Sequence, residues 1–165
     1  MNYSIRAAVA TDVKAIFDLI AALAAYEKLS HLVTGNSQAL GEHLFGEKPY
    51  IEALVAEVGG RIVGFALFFA NYSTFLTKPG IYLEDIFVLP DYRSQGIGKA
   101  LLIAVAKIAV ARDAGRLEWS VLDWNQPAID FYHRLGAATL DDWRIFRLAG
   151  PALQALAERE QRPDT

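Results

Sequence analysis

The sequence predicts a mixed α/β domain with a mostly antiparallel sheet, and three observations carry that prediction. Apolar, β-branched and aromatic runs of strand length are interspersed with longer stretches of helical spacing, in the order β-α-α-β-β-β-α-β-α-β-β-α. Gly59-Gly60 separates two such runs as a two-residue turn, which makes the flanking strands an antiparallel hairpin. Tyr82–Lys99, YLEDIFVLPDYRSQGIGK, passes from strand through a glycine turn into a helix. The rest of the chain is organised around it.

Taken in order, Tyr3–Ala7 is a short strand. Thr11 is the expected N-cap of a helix running to about Lys28, with Val13, Ile16, Phe17, Ile20, Leu23 and Ala24 on one apolar face. Ser37–Phe45 is a shorter helix with Leu40 and Leu44 inward. Ile51–Val58 and Ile62–Phe69 flank the glycine turn. The second of these is apolar without alternation, so it is a central strand covered on both faces. A loop is expected from about Asn71 to Gly80, then the strand Tyr82–Val88. The helix from Ile97 to about Asp113 is apolar almost all round, as if buried against a sheet. Arg116–Leu122 alternates Leu117, Trp119 and Val121 with Glu118 and Ser120, a strand with one wetter face. Asn125 caps a helix over Ala128–Leu135, with Pro127 in its first turn and Gly136 as its left-handed end. Ala137–Leu140 and Trp143–Leu148 are short strands, Pro151–Arg159 is a terminal helix, and the tail around Pro163 is loose. That is a sheet of about seven strands in a single domain over residues 1–165.

Composition narrows the function. A formal net charge of −3, with Lys and Arg spread through the chain, argues against nucleic-acid binding by phosphate neutralisation. The absence of cysteine excludes disulfides, thiolate metal sites and a cysteine nucleophile. His31, His43 and His133 have no ligand spacing, so no metal is expected. The opening MNYSIRAA has no apolar signal core and the apolar runs are too short to span a bilayer. A cytoplasmic protein with no membrane partner is the expectation.

The turn Ser94–Lys99 has the make-up of an anion site. The first amides of a helix lack partners and carry the positive end of its dipole. Gly96 and Gly98 let a bulky anion approach the backbone, and Arg93 and Lys99 add charge at the edge. The spacing Arg93-x-x-Gly96-x-Gly98 is neither a Walker A loop nor a Rossmann fingerprint. It resembles the pyrophosphate loop of the GNAT superfamily of acetyltransferases, R/Q-x-x-G-x-G/A, placed as there after a strand. More of the chain, from about Ile5 to Arg147, resembles the diamine (spermidine/spermine N1-) acetyltransferase family, which includes members acting on thialysine. The likeness lies in Tyr26-Glu27, Leu54-Val55-Ala56-Glu57, Val63-Gly64-Phe65-Ala66, Tyr82-Leu83-Glu84-Asp85, Asp91-Tyr92-Arg93, Trp124-Asn125-x-Pro127, Phe131-Tyr132 and Trp143-Arg144. The chain departs from the polyamine enzymes in its minimal Gly60–Arg61 turn, in Gln126 and Ala128, and in Asp141-Asp142.

The resemblance implies a GNAT fold in which Tyr82–Val88 and Arg116–Leu122 run parallel and splay apart around coenzyme A. Acetyl-CoA is then the cosubstrate. It would be held by the backbones of Ile86, Phe87 and Val88, by Arg93, Ser94, Gln95, Gly96, Ile97, Gly98 and Lys99, and by Asn125, Pro127 and Ala128. The implied partner is a small cationic amine, a di- or polyamine or an amine-bearing amino acid, and the implied assembly is a homodimer.

The residues support a mechanism of direct attack on the thioester. An alkyl amine is mostly protonated at neutral pH (lysine side chain ~10.4), so a base must take a proton. Glu84 and Asp85 occupy successive strand positions and face opposite sides, so one lines the cleft. By resemblance this is Glu84, which binds the amine and passes its proton to water. A phenol can protonate a departing thiolate, and the resemblance gives that role to Tyr132. Tyr26, Glu27, Asp142 and Trp143 match positions near the acceptor amine. Two alternatives stand beside this enzyme: a protein or peptide N-acetyltransferase, and an acyl-CoA-binding module without turnover.

Overall fold

The Gly59-Gly60 turn does what its composition requires, with φ of 56° and 79° in the left-handed region. It joins β2 (Glu52–Val58) to β3 (Arg61–Ser73), the core of a five-stranded sheet in the order β1-β2-β3-β4-β5. The computed structural model describes residues 2–159, which form two compact units, one through Leu122 and one from Asp123 on.

In the first unit β1 (Ser4–Ala7), β2, β3 and β4 (Lys78–Val88) pair antiparallel, and β5 (Leu117–Glu118) pairs parallel to β4. Val63–Phe68 are all buried, as an apolar run without alternation demands of a central strand. α1 (Val13–Tyr26) and α2 (Ser37–Phe45) belong to one face. There Ile16, Leu19 and Leu44 pack with Val55, Phe65, Leu67 and Phe87. α3 (Ile97–Ala111) buries Ile97, Leu101, Leu102, Val105 and Ala109, but Ile103 and Val110 stay exposed, so it is covered on one side rather than all round. The first helix begins differently from expectation. Ala10–Asp12 is a turn of 3-10 helix, and the Asp12 carboxylate, not Thr11, receives the Val9 N–H at 2.8 Å. Asp12 also takes Arg6 at 2.7 Å, and Arg6 reaches Glu57 at 2.9 Å, which ties β1 to β2 and to the start of α1.

Three expectations about strands are corrected. The Asn71–Gly80 loop is mostly ladder: Asn71 pairs Gly80 and Ser73 pairs Lys78, leaving only residues 74–77 as the turn. The Asn71 side chain fills the space where a Cβ at position 80 would lie, so Gly80 is the residue that lets these polar strands close. The strand expected over Arg116–Leu122 keeps only two ladder positions, Ile81 with Leu117 and Tyr82 with Glu118. Beyond them β4 has no partner on this edge among the described residues.

The second unit holds α4 (Gln126–Arg134) and α5 (Gly150–Ala157). Ala137–Leu140 and Trp143–Leu148, expected as strands, are irregular or extended backbone with no ladder among the described residues, so the sheet has five strands rather than about seven. The tail around Pro163 lies outside the described residues.

Candidate active site

The open edge of β4 is set by ladder parity. Leu89 N–H donates to Val63 O at 2.9 Å, just beyond the ladder pair of Gly64 with Val88. Alternation along an antiparallel strand then aims the backbone groups of Phe87 at β3, and those of Ile86 and Val88 at the opposite, unpaired edge. The backbone groups of Ile86 and Val88 therefore face the open edge, whereas those of Phe87 are directed at β3. At the point where β4 and β5 part, the Tyr82 hydroxyl and Ser120 Oγ lie 2.8 Å apart and close the wedge.

Two carboxylates stand beside this edge, and their placement is not that of a regular strand. Leu67 opposes Asp85 and Phe68 opposes Leu83, so Glu84 is the extra residue of a β-bulge. The period of two breaks there, so simple alternation no longer sets which way Glu84 and Asp85 face. Leu83 is buried, Glu84 is exposed, and Asp85 shares the face of Leu67 and Phe87 that α1 covers. Burial pushes the Asp85 carboxyl up to about 6, and the charges of Glu84 and Glu27 add to the effect. Glu27, at the end of α1, is itself raised by burial. Glu27, Glu84 and Asp85 thus share one electrostatic neighbourhood. Asp85 is the residue that sequence reasoning passed over. Its signal, a carboxylate paired across a bulge, depends on register and is not local.

The turn after β4 leads into α3 through left-handed backbone. Ser94 and Gly96 have φ of 61° and 83°, and Gly96 is the left-handed residue before α3. Ala100 N–H donates to Gly96 O at 2.9 Å as the first intrahelical bond, so the amides of Ile97, Gly98 and Lys99 precede it and point out of the helix start. No acidic residue occupies that first turn. A Cβ on Gly98 would meet only Val88 Cγ2, at 3.9 Å, so the fold itself does not require glycine there. Gln95 Nε2 approaches Asp91 O at 3.5 Å, and its buried Oε1 finds no hydrogen-bond partner. Tyr3, outside every motif, brings its hydroxyl to 3.6 Å from the Cβ position of Gly96. Arg93 donates Nε–H to Val88 O at 2.9 Å, and its Cζ lies 4.8 Å from the centre of the Tyr26 ring.

In the second unit, Asn125 Oδ1 accepts the Ala128 N–H at 3.4 Å, so Asn125 caps α4 as expected, with Pro127 in the first turn. Tyr132 lies further along α4, its ring centre 5.4 Å from that of Phe131. Its carbonyl accepts the N–H groups of Leu135 and Ala137, and Gly136 closes the helix at φ 92°. Asp142 and Trp143 follow outside any helix or strand, and the Trp143 side chain is largely exposed. No group of three or more His, Cys, Asp or Glu among the described residues is arranged to hold a metal ion. No helix among them is long and apolar enough to cross a membrane.

Comparison with known proteins agrees with this geometry. The acetyltransferase (GNAT) family profile matches residues 14–137. A thialysine N-epsilon-acetyltransferase of Bos taurus is 42% identical over 93% of this chain and 96% of its own length. An L-ornithine N5-acetyltransferase of Arabidopsis thaliana is 36% identical over 92% of this chain and 86% of its own. Among solved structures, an integron cassette protein of V. cholerae superposes with a TM-score of 0.80 at 24% identity, covering 96% of this chain and 99% of that one, which speaks for the fold. The chain therefore belongs to the acetyltransferase (GNAT) family, and over most of its length it is similar to thialysine N-epsilon-acetyltransferases.

Proposed function

We propose that the protein transfers acetyl from acetyl-CoA to a primary amine of a small cationic acceptor: a di- or polyamine, or an amino acid with a side-chain amine such as thialysine or ornithine. The observation that carries this reading is the acid cluster at the β4 bulge. Asp85 is held high by burial, then by Glu84 and Glu27. Such a site favours a ligand that brings positive charge. Similarity over most of the chain to a thialysine N-epsilon-acetyltransferase and an L-ornithine N5-acetyltransferase supports the same class.

The cosubstrate fits the residues present. Ser94, Gln95, Gly96, Ile97, Gly98 and Lys99 form a cradle for a diphosphate, and the edge groups of Ile86 and Val88 suit the amides of a pantetheine arm. Bound acetyl-CoA supplies the acetyl thioester. Glu84, exposed on the bulge, attracts the ammonium group and passes one of its protons to water, which frees the lone pair that attacks the acetyl carbon. Asp85, with a pKa near the working pH, accepts the proton released as nitrogen bonds to the acetyl carbon, directly or through water. The Val88 N–H donates toward the oxygen that gains charge. Tyr132 gives its phenolic proton to the departing thiolate. By the resemblance, the arm is the partner of Asn125, Pro127 and Ala128, and the acceptor that of Tyr26, Asp142 and Trp143. In this reading the protein works in the cytoplasm, and a second copy of the chain covers the exposed Trp143, Ile145, Phe146 and Leu148.

Two outcomes follow. Putrescine and butylamine have the same chain length and differ by one cationic amine. The cluster predicts kcat/KM at least about tenfold higher for putrescine, shrinking with added salt; equal use of the two amines would remove the basis of the reading. Tyr132→Phe is expected to lower kcat about a hundredfold while calorimetry finds coenzyme A binding unchanged. Unchanged kcat would take the acid role from Tyr132.

A further inference from the structure

Arg93 opens the loop pattern, and the resemblance gives its charge to the phosphates. Its surroundings point elsewhere. Its Nε donates to Val88 O at 2.9 Å. Its Cζ lies 4.8 Å from the Tyr26 ring centre and 5.2 Å from that of Phe87. The two rings stand 6.5 Å apart and tilted by 50°, so the guanidinium occupies the angle between them. Three pieces of the fold meet at this one cation: the last residue of α1, the sheet face of Phe87, and the carbonyl at the end of the open β4 edge.

Each of these neighbours leads to the acceptor side of the site. Tyr26 adjoins Glu27. Phe87 shares its face with Asp85. Val88 supplies the edge amide, and because its carbonyl is taken by Arg93, the hydrogen-bonding groups left for a pantetheine arm are both groups of Ile86 and the N–H of Val88. The arrangement needs a planar fork that stacks on two rings while directing one N–H, which lysine cannot supply. A cation beside the last turn of α1 also complements that helix's dipole.

We propose that Arg93 is a positioning residue of the acceptor pocket: it locks Tyr26 and Glu27 at the end of α1 against the Asp85–Val88 segment of β4, and the coenzyme diphosphate is held without it. The inference rests on the acetyl-transfer reading above for its kinetic arm and on geometry alone for its binding arm.

The kinetic arm compares acetyl-CoA with acetyl-pantetheine, which lacks the diphosphate and nucleotide, using thialysine and spermidine as acceptors. Arg93→Gln is expected to lower kcat/KM at least about tenfold with both donors alike, because the acceptor and the edge are displaced together. Tyr26→Leu should give the same loss, and the double variant should be no worse than either single one. Arg93→Lys keeps the charge and should be as poor as Arg93→Gln. The binding arm is calorimetry with coenzyme A, where Arg93→Gln should weaken affinity by less than about threefold. A loss confined to acetyl-CoA, rescue by lysine, full activity in Arg93→Gln, or a fall in coenzyme affinity of about tenfold or more would each overturn the proposal. Should the unaltered protein bind coenzyme A yet acetylate neither amine, the acetyl-transfer reading fails, and the calorimetric comparison still decides the role of Arg93.

Discussion

Asp85→Asn is expected to lower kcat/KM about a thousandfold for any amine acceptor, while the protein becomes more stable above pH 6. Both effects come from one cause. Burial first, then Glu84 and Glu27, raise the Asp85 carboxyl to about 6. As a base it works only when ionised, so kcat/KM rises with pH through about 6 on its acid limb, and the variant loses that limb. For stability the sign runs the other way. The folded pKa lies above the ordinary aspartate value of 3.8, so the folded state binds more protons and loses stability as pH rises from about 3.8 through about 6. Asparagine carries no charge to bury and escapes that loss. A pH–rate profile and melting curves at pH 5 and pH 8 check both halves. A variant that keeps its acid limb would return the base role to Glu84.

Gly98→Asp is expected to abolish coenzyme binding with no loss of stability. A Cβ at this position meets only Val88 Cγ2 at 3.9 Å, so the side chain has room. Gly98 lies in the first turn of α3, where a carboxylate complements the helix dipole and aspartate replaces a conformationally costly glycine. In the proposed binding mode the same carboxylate would lie against the diphosphate, and like-charge juxtaposition of this kind costs several kcal/mol. Coenzyme A affinity should fall about a thousandfold. Calorimetry paired with thermal unfolding separates the two effects. Retained affinity would move the diphosphate away from this turn.

These two residues mark the boundary of what the sequence makes legible. Gly98 belongs to a local pattern. Strand, left-handed Gly96 and helix start follow from neighbouring residues, as do the Gly59-Gly60 hairpin, the Asn125 cap and the Gly136 helix end. Asp85 is different. Its importance comes from Glu84 being extruded as a bulge, which is fixed by the register of β4 on Leu67 and Phe68. Strand periodicity sees two adjacent acids and separates them. Arg93 is non-local for the same reason: the rings that hold it come from α1 and β4, so its place in a loop motif is a poor guide to its contacts.

The errors in strand assignment have the same origin. Asn71–Gly80 looks like a loop by composition, yet the ladder continues because Gly80 makes room for Asn71. Trp143–Leu148 has strand composition, yet no described strand pairs with it, since a ladder needs a partner edge as well as a propensity. Where burial is continuous, as along Val63–Phe68, composition alone was enough to place the central strand.

The most direct test of acetyl transfer to a cationic amine is thiol release from acetyl-CoA with putrescine, spermidine, spermine, thialysine, lysine, ornithine and a lysine peptide as acceptors. The acid cluster and the β4 edge predict rapid release with one or more of the small amines and little with the peptide. Release driven best by the peptide, or none with any acceptor while calorimetry finds coenzyme A bound, would contradict it.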